Sequence, residues 1–277
     1  IQITGDLAFS EIENFNIFGG LALAGITGIV VIGGLKRIAE VATFLVPLMG
    51  SIYFGAMLIA LILNLDLVLP AFKLILVDAF NGTAVAGGTF FGVLIYGVRR
   101  GAFSNEAGMG TESLVHGVAK VSNPVKQGLV AMTGPIFDTL IICTATALMI
   151  LVSGVWETSS SQGVTLTAEA FSNLLGNFGG LILFTCVICF GLSTIFTYSY
   201  YGASCSRFLF GNFGMKFYIY LYIFSIFIYS IVPIDIAINI ADGAFALMAI
   251  PTLISALWLA PKVMQASKNY FKLVDNI

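Results

Sequence analysis

FKLILVDAFNGTAVAGGTFFGVLIYGVRRGAFSNEAGMG, residues 72–110, is the stretch from which the rest of the chain is best read. A membrane-length apolar run passes into Arg99 and Arg100 and then into a glycine-rich polar stretch. Its middle is a poor straight helix. Asp78, Asn81 and Thr83 lie near one end, and Gly82, Gly87 and Gly88 stand where strong helix formers are expected. Glycine lowers the cost of leaving helical geometry and lets another backbone come close. In hydrocarbon a broken helix survives only where protein or a water-filled cavity surrounds it, because every freed N–H and C=O needs a partner. A buried solute, an ion or a tightly packed neighbouring helix meets that need.

The composition places this segment in a membrane. Of 277 residues, 58% are hydrophobic and 9% charged, with a mean hydropathy of +1.01, whereas a soluble domain is about 45–50% apolar and about 25% charged. The apolar runs are too long for membrane strands of about 9–11 residues, so the fold class is an all-α polytopic membrane protein. At about 20 residues per span there is room for roughly seven spans. They are expected near 17–34, 41–63, 72–97, 128–152, 178–201, 217–232 and 234–260, with the third broken and a cytoplasmic connection over 98–127. All 12 basic residues except Lys73 fall before span two or after spans three, five and seven; Glu11, Glu13, Asp66, Glu157 and Glu169 occupy the alternate connections. Short cytoplasmic loops carry Lys and Arg, which puts the carboxyl end in the cytoplasm of a cell with this protein in its inner membrane. The chain opens on Ile1 and a polar run that reads as an inter-helix loop, so a fragment of a longer protein is expected.

Polar groups inside the apolar spans form four clusters. At the break, unwound backbone with Thr83, Gly87, Gly88 and Thr89, covered by Phe90 and Phe91, suits a zwitterion; close packing through small residues is the competing reading. In span five, Ser193, Thr194 and Thr197 offer oxygens for a small hard cation such as sodium, or else return their hydroxyls to their own backbone. In span seven, Asp235, Asn239 and Asp242 are spaced by four and three residues and share one helix stripe. A buried carboxylate must protonate, pair or meet an ion, so this stripe either lines a vestibule or locks the helix to a neighbour. Asp138 in span four serves ion passage, a gate or packing.

Other chemistries find no support. No glycine cluster has the GxxxxGK[ST] form, and HExxH and GxSxG are absent. No basic tract with interleaved aromatics points to nucleic acid. Cys143, Cys186, Cys189 and Cys205 all fall in or beside apolar stretches and read as small buried hydrophobes. His116 reads as a surface residue of the connection. An enzyme is not expected.

GAFSNEAGMGTESLVHGVA (101–119) and NPVKQGLVAMTGPIFDTLIICTATALMILVSG (123–154) resemble the sodium:alanine (or glycine) symporter family of bacteria and archaea. GGLKRIAEVATFLVPLMGSIY (33–53), STIFTYSYYG (193–202) and IADGAFALMAIPTLI (240–254) fit the same family, and Ser104, Asn105, Glu106 and Gly108 stand in its most specific run. The resemblance implies a fold of two inverted five-helix repeats, with the spans here corresponding to core helices four to ten. It implies that a small amino acid, alanine or glycine, meets the break in span three, and that Ser193, Thr194 or Thr197 holds the coupling sodium. It implies alternating access with no further cofactor, in a lipid bilayer, completed by amino-terminal helices missing from this chain. The departures, Ala102, Phe103, Met109 and Glu112, leave the polar pattern intact. A non-transporting membrane packing or regulatory subunit, a proton-coupled amino-acid transporter and a channel are the rivals.

Overall fold

The computed structural model describes residues 15–79 and 89–274, and the regular elements among them are helices. Its main helices are α1 (Phe15–Val31), α2 (Gly34–Leu63), α3 (Leu65–Ala79), α4 (Thr89–Asn105), α5 (Thr111–His116), α6 (Pro124–Ala131), α7 (Thr144–Ser153), α8 (Val164–Leu175), α9 (Asn177–Ile231) and α10 (Ile234–Val274). Between α6 and α7 the run continues through a short turn and a π-helical segment, Ile136–Cys143.

Among the described residues four helices are long and apolar enough to cross a membrane: Lys36–Leu63, Pro124–Ser153, Asn177–Ile231 and Ile236–Leu273. The sequence predicts seven. The difference has three sources. The segment expected at 17–34 forms a shorter helix of 17 residues. The segment expected at 72–97 includes residues 80–88, which lie outside the described residues, and is described only on either side of them. The segments expected at 178–201 and 217–232 are parts of one 55-residue run.

That run is not one straight rod. At about 1.5 Å per residue it would be about 80 Å long, against about 30 Å of hydrocarbon. Gly211 interrupts it with φ 68° and ψ −160°, a conformation that glycine alone adopts readily. Tyr222 Oη donates to Ile195 O at 2.8 Å, and any Cβ on Gly202 would collide with the Tyr218 ring. Both pairs straddle Gly211 with the inner pair nearer the bend, which is the order an antiparallel fold-back gives. α9 is therefore a helical hairpin.

The described chain divides into two compact units. The first takes in residues 15–76 and 145–237. In it α1 runs antiparallel to the second limb of α9, with Gly20 against Ser230 and Gly28 against Ile223. Val31, Ile38 and Phe196 form one buried cluster, and Ala71, Leu148 and Val152 form another. Tyr53 joins four helices at once. Its ring stacks on Phe171 at 5.5 Å and meets Phe190 edge-on at 5.9 Å, while its hydroxyl and Thr146 Oγ1 are 2.9 Å apart. A buried tyrosine contributes its apolar face only if its hydroxyl finds such a partner.

The second unit takes in residues 77–79, 89–144 and 238–274. α4 runs on past Gly97 through Arg99 and Arg100 to Asn105, where the sequence predicts the start of the connection. α5 is a short helix within the stretch read as connection, and α6 begins in that stretch and runs on into the segment expected as span four. α10 extends to Val274 despite Pro251 and Pro261. Its surface is apolar, with Leu257 at 77% and Trp258 at 80% exposed. Such a surface suits hydrocarbon and not water.

Candidate functional site

The end of α4 is where the chain gathers its charged and polar groups. The first junction joins α4 to α10. Arg99 pairs with Asp242, whose side chain is 7% exposed while that of Arg99 is 47% exposed. A carboxylate this buried needs a counter-charge. The pair borders a cavity of about 690 Å³, otherwise mostly apolar, that Asn239, Phe245 and Leu253 help to line. Asn239 and Asp242, one turn apart on α10, thus face the same space.

The second junction joins α4 to the π segment. That segment begins directly after Pro135, which has no N–H to give to the helical ladder. Asp138 Oδ2 accepts from Ser104 Oγ at 2.6 Å and from Thr139 Oγ1 at 3.2 Å. Asn105 Nδ2 donates to Thr139 Oγ1 at 3.2 Å. Asn105 Oδ1 in turn accepts from Ala107 N at 2.9 Å, which caps the reversal that ends the helix. Glu106 takes φ 54° in that reversal and Gly108 takes φ 82°. The same loop rests on α10: Thr252 Oγ1, bonded to Met248 O at 2.8 Å, lies 3.4 Å from Met109 O.

The candidate residues fare differently. Thr83, Gly87 and Gly88 lie outside the described residues, as do the side chains of Thr89, Phe90 and Asp235; Thr89 and Phe90 open α4. Phe91 is 69% exposed. Ser193 and Thr197 donate to Phe190 O and Ser193 O, both at 2.9 Å, and Thr194 is exposed. Each hydroxyl so engaged still keeps lone pairs for a cation. His116, at the end of α5, meets Gln127 Nε2 through Nδ1 at 2.7 Å. Of the cysteines only Cys186 is buried, while Cys143 and Cys205 are exposed, which corrects the reading of all of them as buried hydrophobes. Arg99 was missed as a site residue because its position after Gly97 reads as loop. The available signal was that nothing between Thr89 and Asn105 forbids a continuous helix.

Long helices with apolar outer surfaces, and charges gathered at helix junctions, define a multi-pass membrane protein. Comparison with known proteins makes this particular. The chain belongs to the sodium:alanine symporter family, whose model matches residues 3–276. It is 36% identical over 273 residues to an uncharacterized transporter, YflA, of Bacillus subtilis, covering 96% of this chain and 58% of that protein. It is 34% identical over 279 residues to the sodium/alanine symporter AgcS of Methanococcus maripaludis, covering 99% of this chain and 61% of the relative. A probable sodium/glutamine symporter, GlnT, of Bacillus subtilis is 33% identical over 269 residues, with 96% and 56% covered. The chain thus spans less than two thirds of the length of these curated relatives. It is a transporter-family chain and not an enzyme.

Proposed function

We propose that the protein is a sodium-coupled symporter of a small neutral amino acid, alanine or glycine, working by alternating access across the cytoplasmic membrane. The observation that carries this is the family match over residues 3–276. The archaeal relative named a sodium/alanine symporter, matched along 99% of the chain, supports the choice of ion and solute. In this reading the chain contributes seven spans, the hairpin of α9 supplying two of them, and they correspond to core helices four to ten of a five-plus-five inverted repeat. Amino-terminal helices of the same protein complete the fold, and the basic connections and carboxyl end face the cytoplasm.

The solute sits at the break that runs through Thr83, Gly87, Gly88 and Thr89, with Phe90 and Phe91 as its apolar cover. Ser193, Thr194 and Thr197 contribute oxygens to sodium. Asp235, Asn239 and Asp242 line the vestibule. Joint occupancy of ion and solute favours closure to one side and opening to the other, because a ligand shifts a conformational equilibrium by its differential affinity. No bond is made or broken in the solute.

Uptake of labelled alanine into proteoliposomes under an imposed sodium gradient tests this. The expected result is accumulation that collapses when potassium replaces sodium and survives dissipation of the pH gradient. Uptake driven by the pH gradient alone would favour proton coupling. No uptake of alanine, glycine or glutamine under any gradient would favour a packing or regulatory subunit.

A further inference from the structure

The bonds at the end of α4 all run one way. Asn105 donates to Thr139, Thr139 donates to Asp138, and Ser104 donates to the same carboxylate oxygen. Hydrogen bonds to an ionised acceptor are roughly twice as strong as neutral ones, and a chain polarised towards the charge strengthens its members. The π turn shapes the meeting. Its i→i+5 bonding sets residues five apart one above another, so Asp138 and Cys143 share a face. Ser104 Oγ lies between them, 3.6 Å from Cys143 Sγ. In an α-helical register Asp138 would stack over Ile142 instead. Two locally unfavourable features, a π turn and a carboxylate within an apolar helix, thus coincide where the helix end is held.

We propose that Asp138 is a positioning residue for transport: its carboxylate, presented by the π turn Ile136–Cys143, latches Ser104 directly and Asn105 through Thr139 and so sets the carboxyl-terminal end of α4, and this latch opens and closes during the cycle. The proposal rests on the symport reading, in which α4 continues from the solute-binding break. Because the latch acts through α4 and touches no solute, its loss slows turnover and spares affinity.

Two variants test it. Asp138→Asn keeps the shape and removes the charge. The expected result is a fall in maximal uptake rate of about tenfold, the scale of one charge-assisted hydrogen bond. The alanine concentration for half-maximal uptake should change by less than about threefold. Ser104→Ala should slow uptake less, Ser104→Thr should restore it, and the double variant should be no slower than Asp138→Asn alone, since both remove one interaction. Wild-type turnover in Asp138→Asn, a rate loss that multiplies in the double variant, or a change in affinity without change in rate would overturn the latch. The second variant, Ser104→Cys in otherwise native protein, needs neither transport nor the loss of Asp138. A mild oxidant should cross-link position 104 to Cys143, identified by peptide mass, at a rate that changes at least about threefold when sodium and alanine are added. No cross-link, or one that forms equally with and without them, would overturn the proposal even where uptake succeeds. A ligand-sensitive cross-link in a protein that shows no uptake would support the latch while the symport reading fell.

Discussion

The first limb of α9 and the end of α4 carry the same kinds of side chain and use them in opposite ways. In α9, Ser193, Thr197 and Ser199 return their hydroxyls to carbonyls three or four residues back. At the end of α4, Ser104 reaches 34 residues along the chain to Asp138, and Asn105 reaches equally far to Thr139. A hydroxyl in an apolar helix turns by default to its own backbone, because that acceptor is always present and needs no partner to be ordered. A well-placed partner opposite, above all a strong acceptor, turns it outward. Asp138 is one, and nothing charged stands beside Ser193 on α9 itself. Helical spacing therefore marks a face, and the partner opposite that face, the Asp138 carboxylate for Ser104 or the Tyr53 hydroxyl for Thr146, decides whether its hydroxyls join helices or stay within one.

The sharpest way to strain this contrast is at Arg99. Arg99→Leu leaves Asp242 buried without a counter-charge, which costs several kcal/mol in a fully buried pair. With Arg99 itself half exposed, a loss of about 2 kcal/mol is expected in unfolding of the purified protein in detergent. Replacing both members by Leu should recover most of it. A single variant as stable as the parent would mean that the α4–α10 junction is held by packing alone.

A smaller effect is expected in α9. Ser193→Ala or Thr194→Ala should raise the sodium needed for half-maximal uptake about three- to tenfold, the loss of one oxygen ligand, while folding yield stays near that of the parent. Unchanged sodium dependence in both would place the ion elsewhere and leave the α9 hydroxyls with only their backbone bonds.

The smallest effect lies outside both regions. Glu169 Oε1 accepts from Ser161 Oγ at 2.6 Å, and bonds from Ser159 and Ser161 hold its carboxyl below the usual range. A lowered folded pKa gives stability that is present above the unfolded value and lost as pH falls through the folded one. Amide protection over residues 159–169, taken relative to the intrinsic exchange rate at each pH, should therefore fall only as the medium becomes more acidic than an ordinary carboxylate tolerates. Ser161→Ala should move that fall to higher pH. Protection that ignores pH in both proteins would show that the contact orders nothing.

Much of the architecture was legible because burial in lipid leaves a coarse mark. Runs of apolar residues, and basic residues that skip alternate connections, point to helices in a membrane before any coordinate is seen. The boundaries were less legible. α4 overruns Gly97 to Asn105 and carries Arg99 to Asp242, and two adjacent arginines after a glycine read as the start of a connection. The joining of 178–201 to 217–232 depends on one torsion at Gly211. The Ser104–Asp138 contact was hidden for another reason: each residue stood out alone, but the segment that carries Asp138 takes a π register, which spacing rules built on 3.6 residues per turn do not anticipate. Asp242 was recognised as a group that needs a partner, and only the structure supplies Arg99.

Coupling between ion and solute can be measured without any membrane gradient. In calorimetric titrations of the purified protein, alanine affinity at low and high sodium gives one factor, and sodium affinity without and with alanine gives another. Linkage requires the two to be equal. For a symporter whose sodium orders the helices that hold the amino acid, both should exceed about fivefold and agree. A factor of one in each direction, with alanine bound equally well in potassium, would contradict sodium-coupled transport by this protein.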